Sequence, residues 1–374
     1  MTAAAPHATV EAAAPALAQL RAVADELGYG QLYGALAGGA LFPADHAEAL
    51  RAAHAFGGAA GATLRLLALG DRVALAGLDE RLASLGEALA AVGLAALDTA
   101  AGALRLVDLV AVPVLGGLLL TGTPPTFATY EPGGGRAYLG EDSLRLARAL
   151  PRVHGRHVLD LGSGCGVQGV LAAAGGATSV VCTDLEPRSV ELSALNAVLN
   201  GHGTVEVRGG DAYAPVAGRR FDLVVTLPPY LPEPPGAPDA VVAAGPDGLG
   251  LLRRIVAGAA DHLRPGGELV AFAQLLCDDA GPLLARELPG LAPTLTPRLV
   301  AFDQHPIEPF ARELARFTAP GDPDGIATAL LDGFDDLGVT GVCSAYLRLL
   351  LPASGQGARS VGSPGASAQP RRST

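Results

Sequence analysis

His157-Val158-Leu159-Asp160-Leu161-Gly162-Ser163-Gly164-Cys165-Gly166 is the stretch that decides the fold of this chain. Val158, Leu159 and Leu161 form a short apolar run of the kind that makes a strand buried in a parallel sheet. The run ends in Asp160 and in glycines at alternate positions, which let the backbone turn sharply and leave bare peptide groups for a ligand. Apolar residues resume at helical spacing at Val167, Val170 and Leu171, so the loop feeds a helix N-terminus with unpaired N–H groups and partial positive charge. Strand, glycine loop and helix form the nucleotide-binding opening of a doubly wound sheet.

A second apolar strand, Ser179 to Thr183, ends in Asp184, about twenty residues past the loop, where an acid can hold ribose hydroxyls. Further strands are expected near 204–208, 221–226, 267–273, 297–302 and 342–350, and helices near 167–174, 187–200, 247–263 and 278–287. This alternation predicts an α/β fold with a doubly wound, mostly parallel seven-stranded sheet covered on both faces. An insert at 303–338 carries two expected helices, Phe310 to Phe317 and Ile326 to Phe334, and is read as a lid over the crevice outside the strand ends. Taken alone, the glycine loop fits NAD, FAD or S-adenosylmethionine (SAM).

The chain has 374 residues, enough for two domains. Residues 1–12 read as a flexible arm, and 13–125 as an N-terminal domain. There Pro15 opens a helix from Ala16 to Leu27, and further helices follow over 43–56 and 78–92. Two strands, Ala103 to Val112 and Gly117 to Thr121, then meet near Pro113–Gly116. Helices followed by a hairpin suggest a winged-helix-like module, serving as a substrate lid or a homodimer surface. The linker-like segment Thr123–Gly135 opens the catalytic domain, 126–352, and the Ser/Gly/Pro/Ala-rich tail 353–374 is expected to be disordered.

A net charge of −11 and the absence of arginine clusters argue against a nucleic-acid partner. The four cysteines are scattered, as small buried hydrophobes in a reduced, cytoplasmic setting would be, and no metal-ligand spacing appears. Neither a secretory signal nor a credible membrane span is expected: the apolar stretch 106–120 is broken by Asp108, Pro113 and two glycines.

The strand Phe221 to Val225 runs into Thr226-Leu227-Pro228-Pro229-Tyr230. Together with Tyr138-Leu139-Gly140-Glu141-Asp142-Ser143, Gly210-Asp211 and Gly245-Pro246-Asp247-Gly248-Leu249, it resembles the class I SAM-dependent methyltransferases. The likeness is to their "small domain" group, which includes the release-factor glutamine methyltransferase and ribosomal RNA guanine methyltransferases. The resemblance covers Tyr138 to about Leu275. It implies that Gly162, Gly164 and Gly166 back the methionine part of SAM, that Asp160 sits near its ammonium, and that Asp184 accepts the ribose hydroxyls. It further implies that Asp211 and Ala212 meet the adenine, with Leu185 and Thr226 on the same cofactor surface. Tyr230 would face the transferring methyl, beside Pro228, and Tyr138 would close over the cofactor.

Leu227 departs from the family, which has asparagine there. That asparagine and a neighbouring proline carbonyl accept hydrogen bonds from a planar –NH2 group, and leucine accepts nothing. A missing partner for a buried N–H costs about 1–3 kcal/mol. The expectation is therefore a small-molecule acceptor with no N–H to hold (oxygen, carbon or sulfur), in specialised metabolism. Protein or ribosomal RNA methylation, a non-methylating use of SAM (intramolecular cyclisation or aminocarboxypropyl transfer) and non-catalytic SAM binding are the alternatives. His305 and Glu308 are the candidates for acid–base work, against an ordinary solvated loop histidine.

Overall fold

The computed structural model describes residues 6–122, 137, 139–234, 245–319 and 321–353. The linker 123–135, Tyr138 and the tail from Ser354 lie outside them. The N-terminal part opens with α1 (Pro6–Glu26), α2 (Tyr29–Ala37), α3 (His46–Phe56) and α4 (Gly58–Thr63). Helix α1 buries Ala13, Leu17, Leu20 and Ala24, one face at helical spacing. It begins inside the segment expected to be a flexible arm and carries Pro15 within it rather than at its start. The strong helix formers Glu11 to Ala14 and the buried face on both sides of Pro15 outweigh the one hydrogen bond that proline removes.

After α4 come β1 (Val73–Ala74), α5 (Glu80–Ala91), β2 (Ala95–Asp98) and β3 (Ala103–Leu106), with the three strands antiparallel in the order β1-β3-β2. The single strand expected over 103–112 is split at Asp108, whose φ of 51° turns the chain into β4 (Leu109–Val114). A tight turn with positive φ at Leu115 and Gly116 joins it to β5 (Gly117–Gly122), the paired geometry of a two-residue hairpin loop.

The second part runs α6 (Glu141–Ala149), β6 (His157–Leu161), α7 (Val167–Ala174), β7 (Ser179–Asp184), α8 (Pro187–Leu199), β8 (Glu206–Gly209), β9 (Phe221–Thr226) and α9 (Gly250–His262). It closes with β10 (Leu263–Asp278), β11 (Gly281–Pro282), α10 (Leu283–Leu291), β12 (Thr296–Pro306), α11 (Ile307–Thr318), α12 (Pro323–Asp336) and β13 (Gly341–Leu350). The sheet order is β12-β13-β10-β9-β6-β7-β8, parallel except for β13, which is antiparallel to both neighbours. This is the class I methyltransferase fold, with all seven strands where the apolar runs lie.

Strands β6 and β9 fill the centre: Val158, Leu159, Leu223, Val224 and Val225 are fully buried, each contributing about 1.5–3 kcal/mol. Strand order reverses between them, so a crevice opens at their carboxyl ends. Strand β10 runs several residues past its expected end because Leu275 to Cys277 stay buried and paired with β13. That extension delays the next helix to Leu283. Among the described residues no helix is long and apolar enough to cross a membrane.

Helix α8 approaches the glycine loop so closely that a Cβ on Gly166 would lie 2.9 Å from the Ser193 Cα, and Gly166 has a φ of 79°. At Gly162 the φ is 69°, but no atom lies within 4 Å of where an added methyl would stand. Gly166→Ala is therefore expected to lose roughly 2–5 kcal/mol, combining left-handed strain with overpacking, and Gly162→Ala only about 1–2 kcal/mol. Urea unfolding of the two variants checks the difference.

Candidate active site

The site is assembled at the carboxyl ends of β6, β7, β8 and β9. Asp160, buried near the end of β6, accepts the Gly169 N–H of α7 at 2.8 Å. Burial pushes its carboxyl up to about 7; the Gly169 N–H opposes the rise and the Asp184 charge adds to it. Gly162 and Ser163 donate their N–H groups to the Thr183 carbonyl at 2.8 and 3.0 Å, which turns the loop over the end of β7.

Asp184 then ties three loops together. Its carboxylate accepts from the Gly164 N–H at 2.8 Å and the Glu186 N–H at 2.9 Å. Its carbonyl accepts from the Gly210 N–H after β8 at 2.9 Å. Burial raises the Asp184 carboxyl, and the two N–H donors work against that rise. Beside it Leu185 is 64% exposed, a bare apolar side chain at the rim of the crevice. Asp211 is half exposed and pairs with Arg254 at 2.5 Å, and Ala212 holds a φ of 46° at the turn. Thr226 is buried and donates its hydroxyl to the Leu161 carbonyl at 2.8 Å, joining the ends of β9 and β6.

After β9, Leu227 is half-buried against the cluster of Val225, Val270 and Phe272, and Pro228 is buried. Tyr230 packs edge-on to Phe272, with ring centroids 6.3 Å apart. Its hydroxyl donates to the Asp142 carboxylate of α6 at 2.5 Å. Burial raises the Tyr230 phenol well above its ordinary range, and the Asp142 charge raises it further. Behind this loop Gly248 meets the backbone directly: a Cβ there would lie 2.1 Å from the Tyr230 carbonyl oxygen. The glycine in Gly245-Pro246-Asp247-Gly248-Leu249 thus has a packing reason.

The structure brings Asp160, the three loop glycines, Asp184, Leu185, Asp211, Ala212, Thr226, Leu227, Pro228 and Tyr230 to one crevice. It does not bring His305. That residue lies exposed near the end of β12, the sheet edge three strands from β9, about 14 Å across at ordinary strand spacing. Glu308 pairs with Arg312 on the surface of α11. The first residues of the insert extend the edge strand instead of looping back to the crevice, because their backbone pairs with β13.

The residues present fit SAM. The loop glycine Gly162 faces open space, and Leu185 offers an uncovered apolar surface. The buried Gln168 Oε1 on α7 and the Thr183 hydroxyl have no hydrogen-bond partner among the described residues. Fold, loop and Pro-Pro-Tyr turn define a class I SAM-dependent methyltransferase, with SAM as cofactor. Within that class the chain belongs to the methyltransferase small domain family, which matches residues 139–279.

The release factor glutamine methyltransferase of Xylella fastidiosa is 36% identical over 157 residues, 38% of this chain and 54% of that protein. The ribosomal protein uL3 glutamine methyltransferase of Bradyrhizobium diazoefficiens is 34% identical over 143 residues, 34% of this chain and 44% of that protein. A relative from Methanocaldococcus jannaschii, provisionally named a protein N5-glutamine methyltransferase, is 31% identical over 143 residues, 37% of this chain and 68% of that protein. The chain spans about half the length of the release-factor relatives it matches.

These relatives overturn the expectation of a small-molecule acceptor and a small-molecule partner, since all three are named for glutamine in proteins. One side chain, Leu227, does not decide the acceptor. The resemblance gives the family's clamp a second acceptor, a proline carbonyl, a backbone group that the side chain at 227 does not supply. Losing one of two hydrogen bonds slows a reaction without choosing a different substrate.

Sequence reading quotes Asp142, the partner of Tyr230, without giving it a role, and passes over the polar face of Ser193 and Asn196 on α8 with Asn200 at its cap. Asn196 is fully buried in mid-helix, where asparagine is a poor helix former. A polar residue among the apolar positions of that helix was the available signal.

A pH dependence follows from Asp160. Below about pH 4 the folded and unfolded chains are both protonated there. Between that point and about 7 the folded chain keeps a proton that the unfolded chain has released. Stability therefore falls as pH rises through this window, by roughly 1.4 kcal/mol per pH unit from this one group. Asp160→Asn, which still accepts from Gly169, should remove that slope in urea titrations run from pH 4 to 7.

Proposed function

We propose that the chain transfers a methyl group from SAM to a side-chain amide of a protein, a glutamine nitrogen in the first instance. The observation that carries this reading is the Pro228-Pro229-Tyr230 turn at the end of β9, within residues 139–279 that match the methyltransferase small domain, in a chain with glutamine methyltransferases among its relatives. Bound SAM supplies a methyl already activated by the sulfonium, so the chain's own task is alignment.

In this reading Gly162, Gly164 and Gly166 back the methionine moiety, with Asp160 near its ammonium. Asp184 takes the ribose hydroxyls, while Leu185, Asp211 and Ala212 border the adenine. Thr226 holds the end of β9 against β6, which fixes the height of the acceptor turn. The Pro228 carbonyl accepts one amide N–H, and Tyr230, anchored by Asp142, closes the acceptor side. Leu227 leaves the second N–H without its acceptor, so the lone pair is aimed less firmly.

We also assign partner recognition to the parts outside the shared region. The N-terminal domain, 13–125, is read as a winged-helix-like platform for the protein substrate. Within the catalytic domain, 126–352, the insert 303–338 is read as a cap beside the acceptor turn. The packing of Leu231 against the α11–α12 cluster supports this placement.

Two variants test the proposal. Leu227→Asn restores the absent acceptor and should raise methylation of a glutamine-bearing protein or peptide by about tenfold to a hundredfold. Mass spectrometry locating the added methyl on glutamine reads the outcome. Methyl transfer by the wild type to a free metabolite, with none to protein glutamine, would sink the reading. Asp184→Asn should weaken SAM binding by about tenfold or more in calorimetry, through loss of the charged acceptor for the ribose.

A further inference from the structure

Helix α8 carries a polar stripe on its inward face, Ser193 and Asn196, continued by Asn200 at its C-terminal cap, spaced three and four residues apart. Ser193 donates its hydroxyl to the Gly164 carbonyl at 3.0 Å. Asn200 pairs with the outer edge of β5: its Oδ1 accepts the Leu118 N–H at 2.9 Å and its Nδ2 donates to the Leu118 carbonyl at 2.7 Å. Asn196 makes the same rung at Leu120, accepting the N–H at 2.7 Å and donating to the carbonyl at 2.8 Å. Its Nδ2 also donates to the Cys165 carbonyl of the glycine loop at 2.8 Å.

The two asparagines therefore stand in for a missing strand. Leu118 and Leu120 are buried, and without these amides their outward N–H and C=O groups would have no partner among the described residues. Only Asn196, however, joins the hairpin to the cofactor loop. Its three hydrogen bonds use both N–H donors and one lone pair of its amide, and the side chain is fully buried.

We infer that Asn196 is a positioning residue for SAM, holding the Cys165 carbonyl, and with it the Gly164–Gly166 turn, in a geometry set by the docked N-terminal hairpin. The N-terminal domain thereby completes the cofactor site without touching the cofactor. This inference rests on the SAM reading of the glycine loop and goes beyond it.

Asn196→Ala and Asn200→Ala form a matched pair in the full-length chain. Each strips one rung from β5, so both should lower the melting temperature. Only Asn196→Ala should raise the Kd for SAM, by about tenfold, while Asn200→Ala stays within about twofold of wild type. Calorimetric titration with SAM, beside scanning calorimetry of the same preparations, reads both quantities. Should the alanine variant not fold, Asn196→Ser keeps a polar group in the site yet cannot span Leu120 and Cys165, and carries the same expectation. Unchanged SAM affinity at position 196, or equal weakening in both variants, overturns the inference. Wild type is measured first: if it fails to bind SAM, the cofactor reading falls and this inference with it. If wild type and the Asn196 variant bind alike, this inference falls alone.

Discussion

Everything in the cofactor crevice depends on how Asp184 is bound. One residue at the end of β7 holds the loop after β6 through Gly164, the start of the α8 crossover through Glu186, and the loop after β8 through Gly210. Three crossover loops thus meet at one residue. The carboxylate is largely buried, and hydrogen bonds to an ionised acceptor are stronger than neutral ones. The same burial raises its proton affinity, so the anchor is firmest when the two N–H donors keep it charged.

The acceptor side is built on a different principle. Tyr230 is fixed by a side-chain bond to Asp142 and by aromatic packing on Phe272, which itself lies edge-on to Tyr346 at 5.4 Å. This wall is apolar and crosses β10 and β13, so the turn after β9 is braced by strands far along the chain. Leu227 joins that packing rather than offering a hydrogen bond. The turn keeps the Pro-Pro-Tyr that carries the family resemblance but has leucine in place of asparagine, which is why the resemblance and the side-chain chemistry point in different directions at this position.

Coupling between the two parts of the chain runs through α8. Apolar residues Leu192, Leu195 and Leu199 on this helix belong to the same buried cluster as Leu118 to Leu120 and the N-terminal helices. The hairpin is docked by burial and given its register by the asparagine rungs. Burial of this kind is non-directional and could tolerate a slip, whereas the rungs at Leu118 and Leu120 cannot.

The sequence by itself determined the elements whose signals are local. Seven apolar runs became seven strands, the glycine loop became the strand–helix turn, and Asp184 sits where strand end and spacing place it. Asp45 and Asp79 cap α3 and α5 as short-range chemistry requires. Where a local rule met a longer-range force it gave way: Pro15 sits inside α1, and β10 outruns its expected end. What only the tertiary structure decided are the meetings of distant residues. Tyr230 and Asp142 are separated by 88 positions, and Asn196 and Leu120 by 76. His305, near the acceptor in expectation, was carried to the sheet edge by the pairing of β12 with β13. Periodicity and turn chemistry report what a residue does to its neighbours in the chain. They are blind to which buried polar group a fold will bring opposite another, because that depends on the packing of the whole.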